Sequence, residues 1–218
     1  MAQRRVLHDE FFKKAKADGY LARSAYKLKE IQERHRILRP AMRVVDLGCA
    51  PGSWLQVASE IVGPKGLVIG IDLQEVRPGL APNVRTIAGD IFKTDAAALL
   101  PEPDARFEAV ISDMAPNTSG HGDDALSVRL CRRVLELLPA LLAPGGACVM
   151  KVLEGGGYPD LLRDCQRLFL KAKGLKPKAS RDLSREIFIV AEGYRPHTPK
   201  PAAATAKPAP KPGPGWGA

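Results

Sequence analysis

From residue 9 to residue 36 apolar positions recur every third or fourth residue. Tyr20, Leu21, Ala25, Leu28 and Ile31 are separated by charges, which is the period of an amphipathic helix. Gly19 divides the stretch into two helical pieces, and Pro40 closes it. At Arg43 the period changes. Val44-Val45-Asp46-Leu47-Gly48 is a short apolar run ended by glycine, as expected of a strand buried on both faces. Ser53–Val62 then reads as a helix, stopped by Gly63-Pro64-Lys65-Gly66. Further strands are predicted at Leu67–Asp72, Val84–Ile87, Phe107–Asp113, Ala147–Leu153 and Glu186–Ala191. Helices are predicted at Asp124–Leu142, stopped by Pro144-Gly145-Gly146, and at Tyr158–Lys171. Strands and helices alternating at this interval imply βαβ units and a mostly parallel sheet covered on both faces. The expected organisation is a helical extension over 1–42, one α/β domain over 43–194, and a Pro/Lys-rich tail over 195–218 that buries too little apolar surface to order.

Composition changes this picture little. With 218 residues, 45% hydrophobic and 26% charged, the chain can bury a core without disulfide staples. Charge changes it more. The net charge is +9, and residues 1–43 carry twelve Lys/Arg against five Asp/Glu, while the last 24 residues carry four basic side chains and no acid. Basic ends on a near-neutral middle point to a polyanion such as nucleic acid. Cys49, Cys131, Cys148 and Cys165 show no CxxC or zinc-type spacing, so no metal is expected and the thiols read as buried and reduced. No apolar leader or membrane-spanning run is present, and the expectation is a cytoplasmic protein that needs no membrane.

The chemistry concentrates at the predicted strand ends. Asp46-Leu47-Gly48-Cys49-Ala50-Pro51-Gly52-Ser53-Trp54 follows a strand and opens a helix, the setting of a nucleotide-binding turn. It is neither GxGxxG nor a Walker loop, which weakens dinucleotide and nucleoside-triphosphate readings. Asp72 follows Gly48 by 24 residues at the next strand end, where an acid accepts hydrogen bonds from ribose hydroxyls. Asp90 closes the third strand. A single strand-end aspartate is commonly a turn residue, but three consecutive strand ends carrying Gly or Asp imply an adenosine without a pyrophosphate. Ser112-Asp113-Met114-Ala115-Pro116-Asn117 places another acid and a rigid turn after the fourth strand. Lys151 sits inside an apolar strand, where a charge is costly to bury; it either snorkels or is functional.

Together, Arg23-Ser24-Ala25-Tyr26-Lys27-Leu28, VVDLGCAPGSW, SDMAPN, the Lys151 strand and SREIFIVA resemble the FtsJ family of ribosomal RNA ribose 2′-O-methyltransferases, in the same order from about Asp18 to Gly193. The resemblance implies a Rossmann-like S-adenosylmethionine-dependent fold with a seven-stranded sheet. It implies a catalytic tetrad of Lys27, Asp113, Lys151 and Glu186, with cofactor contacts from Gly48, Pro51, Gly52, Trp54, Asp72, Asp90 and Asp113. It also implies a monomer acting on a uridine ribose of large-subunit rRNA, within the large ribosomal subunit and late in assembly. A tRNA ribose and a non-catalytic RNA-binding assembly role are the alternatives. All four tetrad positions match. The glycine-rich stretch after Lys151 and the Pro/Lys tail depart from the pattern.

Overall fold

The computed structural model describes residues 10–116, 122–180 and 184–196. The predicted N-terminal helix is split as Gly19 suggests, into α1 (Glu10–Ala17) and α2 (Ala25–His35). Seven strands follow: β1 (Arg43–Leu47), β2 (Leu67–Asp72), β3 (Val84–Ala88), β4 (Phe107–Ser112), β5 (Leu142–Leu153), β6 (Phe169–Leu175) and β7 (Glu186–Tyr194). Between them run α3 (Ser53–Val62), α4 (Asp123–Leu141) and α5 (Tyr158–Leu168). The expected start of the N-terminal helix at Asp9, Asn117, residues 181–183 and the expected tail from residue 197 onward fall outside the described residues.

The strands form one sheet in the order β3-β2-β1-β4-β5-β7-β6. β1 to β5 are parallel, and β7 runs antiparallel to both β5 and β6. The chain leaves β1 in one direction toward β3 and returns at β4 to build outward the other way. The order therefore reverses between β1 and β4, and a crevice opens at their carboxyl ends. This places the glycine turn and Asp113 on opposite sides of one cleft.

Two layers of side chains hold the sheet. On one face Leu28 and Ile31 of α2, with Trp54 and Leu55 of α3, pack against Val44, Ala109, Val149 and Phe188. On the other, Val134 and Leu138 of α4, with Leu161 and Cys165 of α5, pack against Val110, Met150 and Ile189. The strands read most easily are those buried on both sides, where continuous apolar runs are required.

Two elements differ from expectation. The predicted helix Tyr158–Lys171 ends at Leu168, and Phe169 begins an edge strand. Leu170, Lys171 and Lys173 of that strand face solvent, so its composition lacks the apolar run of an inner strand. Pro144-Gly145-Gly146 ends α4 as predicted but lies within β5, not before it. The β4–β5 pairing shifts register between Phe107 and Ala109 there, a bulge that accommodates Gly145 at φ +79°.

Candidate active site

The glycine turn is shaped by what crosses it. Gly48 has φ +84°, and a Cβ at that position would lie 2.1 Å from Met114 Cγ. Only glycine lets the β1 end pass this closely under the turn after β4. The main-chain N–H groups of Gly48 and Cys49 donate to the Ile71 carbonyl, at 2.8 and 3.2 Å. Asp72 then braces the turn: its Oδ2 accepts from Ala50 N at 3.0 Å and its Oδ1 from Gln74 N at 2.9 Å. Asp90 likewise accepts from Phe92 N at 2.9 Å. Each carboxylate keeps lone pairs for a ligand.

These residues wall a cavity of about 490 Å³, lined by Gly48, Pro51, Asp72, Asp90, Asp113 and Met114 among others. The size suits a nucleoside-class ligand. Three of the lining side chains are carboxylates and none is basic. Behind the turn lies a fourth acid. Asp46 is fully buried and neither carboxyl oxygen has a hydrogen-bond partner among the described residues. Burial, with smaller contributions from Asp113 and Asp72, holds its pKa well above the usual carboxylate range. The acid-rich lining, with Asp90 3.8 Å from Lys93 Nζ and Asp113 2.9 Å from Lys151 Nζ, suits a ligand that carries positive charge. Sequence reasoning missed Asp46; the available signal was a charged residue inside a doubly buried strand.

Gly52 and Trp54 stand apart from this cavity. A Cβ on Gly52 would meet Val76 and Leu21. The Trp54 indole is 2% exposed, stacks on Phe188 at 5.7 Å and donates from Nε1 to the Ser24 carbonyl at 2.9 Å. Ser24 Oγ also lies 2.8 Å from Ser53 Oγ. The side chain thus ties the start of α2 to the start of α3, and what Trp54 presents toward the glycine turn is its main-chain N–H in the first turn of α3.

The four tetrad residues converge at the same sheet edge. Lys151 lies on β5, Asp113 follows β4, Glu186 opens β7 and Lys27 is in the first turn of α2. Because β7 is antiparallel, its beginning comes to the edge where β4 and β5 end, and Glu186 pairs in register with Leu153. Lys151 Nζ donates to the Asp113 carbonyl at 2.7 Å, lies 2.9 Å from Asp113 Oδ1 and 3.8 Å from Glu186 Oε1. Lys27 Nζ donates to Glu186 Oε2 at 2.7 Å. Both lysines are almost fully buried, at 7% and 5% exposure. Burial raises the Glu186 pKa, but Lys27 and then Lys151 outweigh it, and the net shift is downward. The Cys131 thiol donates to the Lys151 carbonyl at 3.0 Å, fixing the strand end that carries the amine.

Burial pushes the Cys131 and Cys165 thiols up to about 12, which leaves no thiolate nucleophile. Among the described residues no group of His, Cys, Asp or Glu is arranged to hold a metal, and no helix is long and apolar enough to cross a membrane.

Comparison with known proteins gives a consistent picture. Residues 20–194 match the family model for FtsJ-like methyltransferases. The chain is 45% identical over 187 residues to ribosomal RNA large subunit methyltransferase E of Syntrophobacter fumaroxidans, covering 85% of this chain and 95% of that one. It is 41% identical over 196 residues to the protein of the same name from Pseudomonas fluorescens, covering 88% and 93%. A crystal structure of a Plasmodium falciparum chain assigned as a ribosomal RNA methyltransferase superposes with a TM-score of 0.70 at 28% identity, covering 80% of this chain and 98% of that one.

Proposed function

The chain belongs to the FtsJ-like methyltransferase family, and on that footing we propose that it transfers a methyl group from S-adenosylmethionine to the 2′-hydroxyl of a uridine in large-subunit rRNA. The observation that carries this reading is Asp113, which lines the nucleoside-sized cavity and meets Lys151 Nζ with both its carbonyl and its Oδ1. A methyl donor in the cavity and a hydroxyl beside Lys151 would then meet across one residue.

S-adenosylmethionine supplies an electrophilic methyl on a positively charged sulfur. Asp72 would hold the ribose hydroxyls and Asp90 the adenine edge, while Gly48 and Pro51 shape the floor and the acid-rich lining favours the cationic form. Gly52 and Trp54 would contribute through the main chain at the start of α3.

A ribose hydroxyl is a weak nucleophile until its proton is removed. Lys151, in its neutral form, would take that proton as the oxygen bonds to the methyl carbon and the carbon–sulfur bond breaks. The Asp113 carbonyl and Oδ1 orient the Lys151 nitrogen, an arrangement that fixes direction without needing the lysine charged throughout. Lys27, held by Glu186 at 2.7 Å, positions the hydroxyl. In this reading the protein acts as a cytoplasmic monomer on the large ribosomal subunit late in its assembly. Residues 1–42 serve as the substrate-facing extension, 43–194 as the catalytic domain, and 195–218 as a Pro/Lys-rich tail dispensable for turnover. No metal takes part.

The decisive experiment is to map 2′-O-methyl groups on rRNA from cells with and without this protein, and then to restore the site in vitro with labelled S-adenosylmethionine and undermethylated large subunits. Loss and recovery of one uridine methylation are expected. Label appearing on tRNA alone, or on a base nitrogen, would overturn the reading.

A further inference from the structure

Positive side chains on two surfaces of this molecule are held differently. On α4 and α5, Arg132 and Arg167 pair with Asp164, Arg163 with Asp160, and Arg133 with Glu136. That surface neutralises itself. Beside the tetrad, Lys13 and Lys16 of α1 and Lys176 and Lys178 of the segment after β6 are exposed, and no ion pair engages them among the described residues. Lys14 and Lys29 belong to the same helices but are occupied. Lys14 lies over the Tyr26 ring at 5.0 Å, and Lys29 donates to the Tyr20 hydroxyl at 2.8 Å.

The free lysines converge. Ala15, Tyr26 and Ala179 form one small apolar cluster, and the Lys178 main-chain N–H donates to Glu30 Oε2 at 2.7 Å. Lys16 and Lys178 therefore flank a single contact between α1 and the post-β6 segment, over Tyr26, the chain neighbour of Lys27. Nothing in the packing requires these charges, and like charges gathered side by side repel unless an anion joins them. The hydroxyl-bearing partner of the tetrad must also reach a lysine that is 7% exposed, which a nucleotide does only when swung out of any helix.

We infer that α1 and the segment following β6 form a two-sided phosphate track, along which an unpaired stretch of RNA enters the tetrad from the β7–β6 side of the sheet, away from the cofactor cavity on β1–β4. This rests on the proposed methyl transfer to RNA and adds the route by which the RNA arrives. The cofactor and the RNA would approach Asp113 and Lys151 from opposite ends of one sheet edge.

The test measures binding, so it does not depend on turnover. The anisotropy of a fluorescein-labelled oligouridylate of about 20 nucleotides is followed between about 50 and 200 mM salt. The unmodified protein, the Lys16→Ala/Lys178→Ala variant and an equally charge-depleted Arg163→Ala/Arg167→Ala variant are compared. Removing two phosphate contacts should flatten the slope of log affinity against log salt by about 1.4, roughly 0.7 for each contact on a single strand, and weaken binding about tenfold or more near 100 mM salt. The α5 pair should change binding less than about twofold, since its arginines are already neutralised. An unchanged slope in the lysine variant, or an equal loss in the arginine variant, overturns the track. Methyl transfer to large subunits is measured on the same proteins. A flattened slope without any methyl transfer by the unmodified protein would sustain the track and remove the methyltransferase reading; transfer with an unchanged slope would do the reverse.

Discussion

The two halves of the active edge balance their charges in opposite ways. On the cavity half, Asp72, Asp90 and Asp113 line one cavity with no basic side chain among the lining residues, and the bases that reach them, Lys93 at 3.8 Å from Asp90 and Lys151 at 2.9 Å from Asp113, stand outside it. On the tetrad half, two lysines and two carboxylates interlock at 2.7 to 3.8 Å. A site with more acid than base in its lining favours a ligand that brings positive charge. A compensated site is already organised, and its value lies in where protons and lone pairs point. Asp113 stands at the boundary and serves both.

The largest expected effect tests the compensated half. Lys151→Ala should lower turnover by roughly 10²–10⁴, the range for a lost general base, with cofactor affinity by calorimetry nearly unchanged. Lys151→Arg should fail almost as badly, because guanidinium keeps the charge but does not release its proton at working pH. Retained activity in Lys151→Arg together with loss in Lys27→Arg would exchange the roles of the two lysines. Next, Asp72→Ala should weaken S-adenosylmethionine by about 1.5–3 kcal/mol, the usual worth of hydrogen bonds to a charged acceptor. Turnover at saturating cofactor should change far less. A large turnover loss without an affinity loss would erase the distinction between the halves.

Asp46→Asn asks whether the acid excess costs the unliganded protein anything. Because the folded-state pKa is raised, the cost is absent below the unfolded value of about 3.9 and grows as pH rises above it. The amide variant should therefore be more stable at neutral pH, by roughly 1–3 kcal/mol for a buried charge replaced by a neutral amide, and the gain should shrink toward pH 4. Chemical denaturation at several pH values checks this; a variant less stable at pH 7 contradicts it. The smallest effect is expected from Glu186→Gln. Glu186 is lowered in the fold, so its ion pairs stabilise above the ordinary carboxylate range, and that contribution disappears as pH falls through the folded value. Wild type should melt higher than the variant at neutral pH, and the two curves should merge in acid.

Much of this arrangement was legible in the sequence, and for physical reasons. β1, β2 and β4 are buried on both faces and announce themselves as apolar runs. Lys151 stood out because it contradicts its own strand and Asp113 because it follows one, whereas Lys27 and Glu186 were reached only through the resemblance to the FtsJ family. β6 was not legible, since an edge strand with solvent-facing Leu170, Lys171 and Lys173 looks like the continuation of an amphipathic helix. Trp54 drew attention as an aromatic beside a glycine turn, yet its ring serves the α2–α3 seam; sequence proximity does not tell which side of a helix a side chain takes. Asp46 was noted only as the head of the stretch leading into the glycine turn, and its burial shows it to be an orphan.

The antiparallel course of β7 also sets an order of assembly. The walls of the cofactor cavity come from residues 48–130, and Lys151 meets Asp113 across 38 residues. Lys27 meets Glu186 across 159. Closing the longer loop costs more chain entropy, about 0.6 kcal/mol for each doubling, and a chain emerging N-terminus first delivers Glu186 near its end. A partly synthesised chain can thus carry every residue that walls the cavity while Lys27 still lacks the carboxylate that holds it.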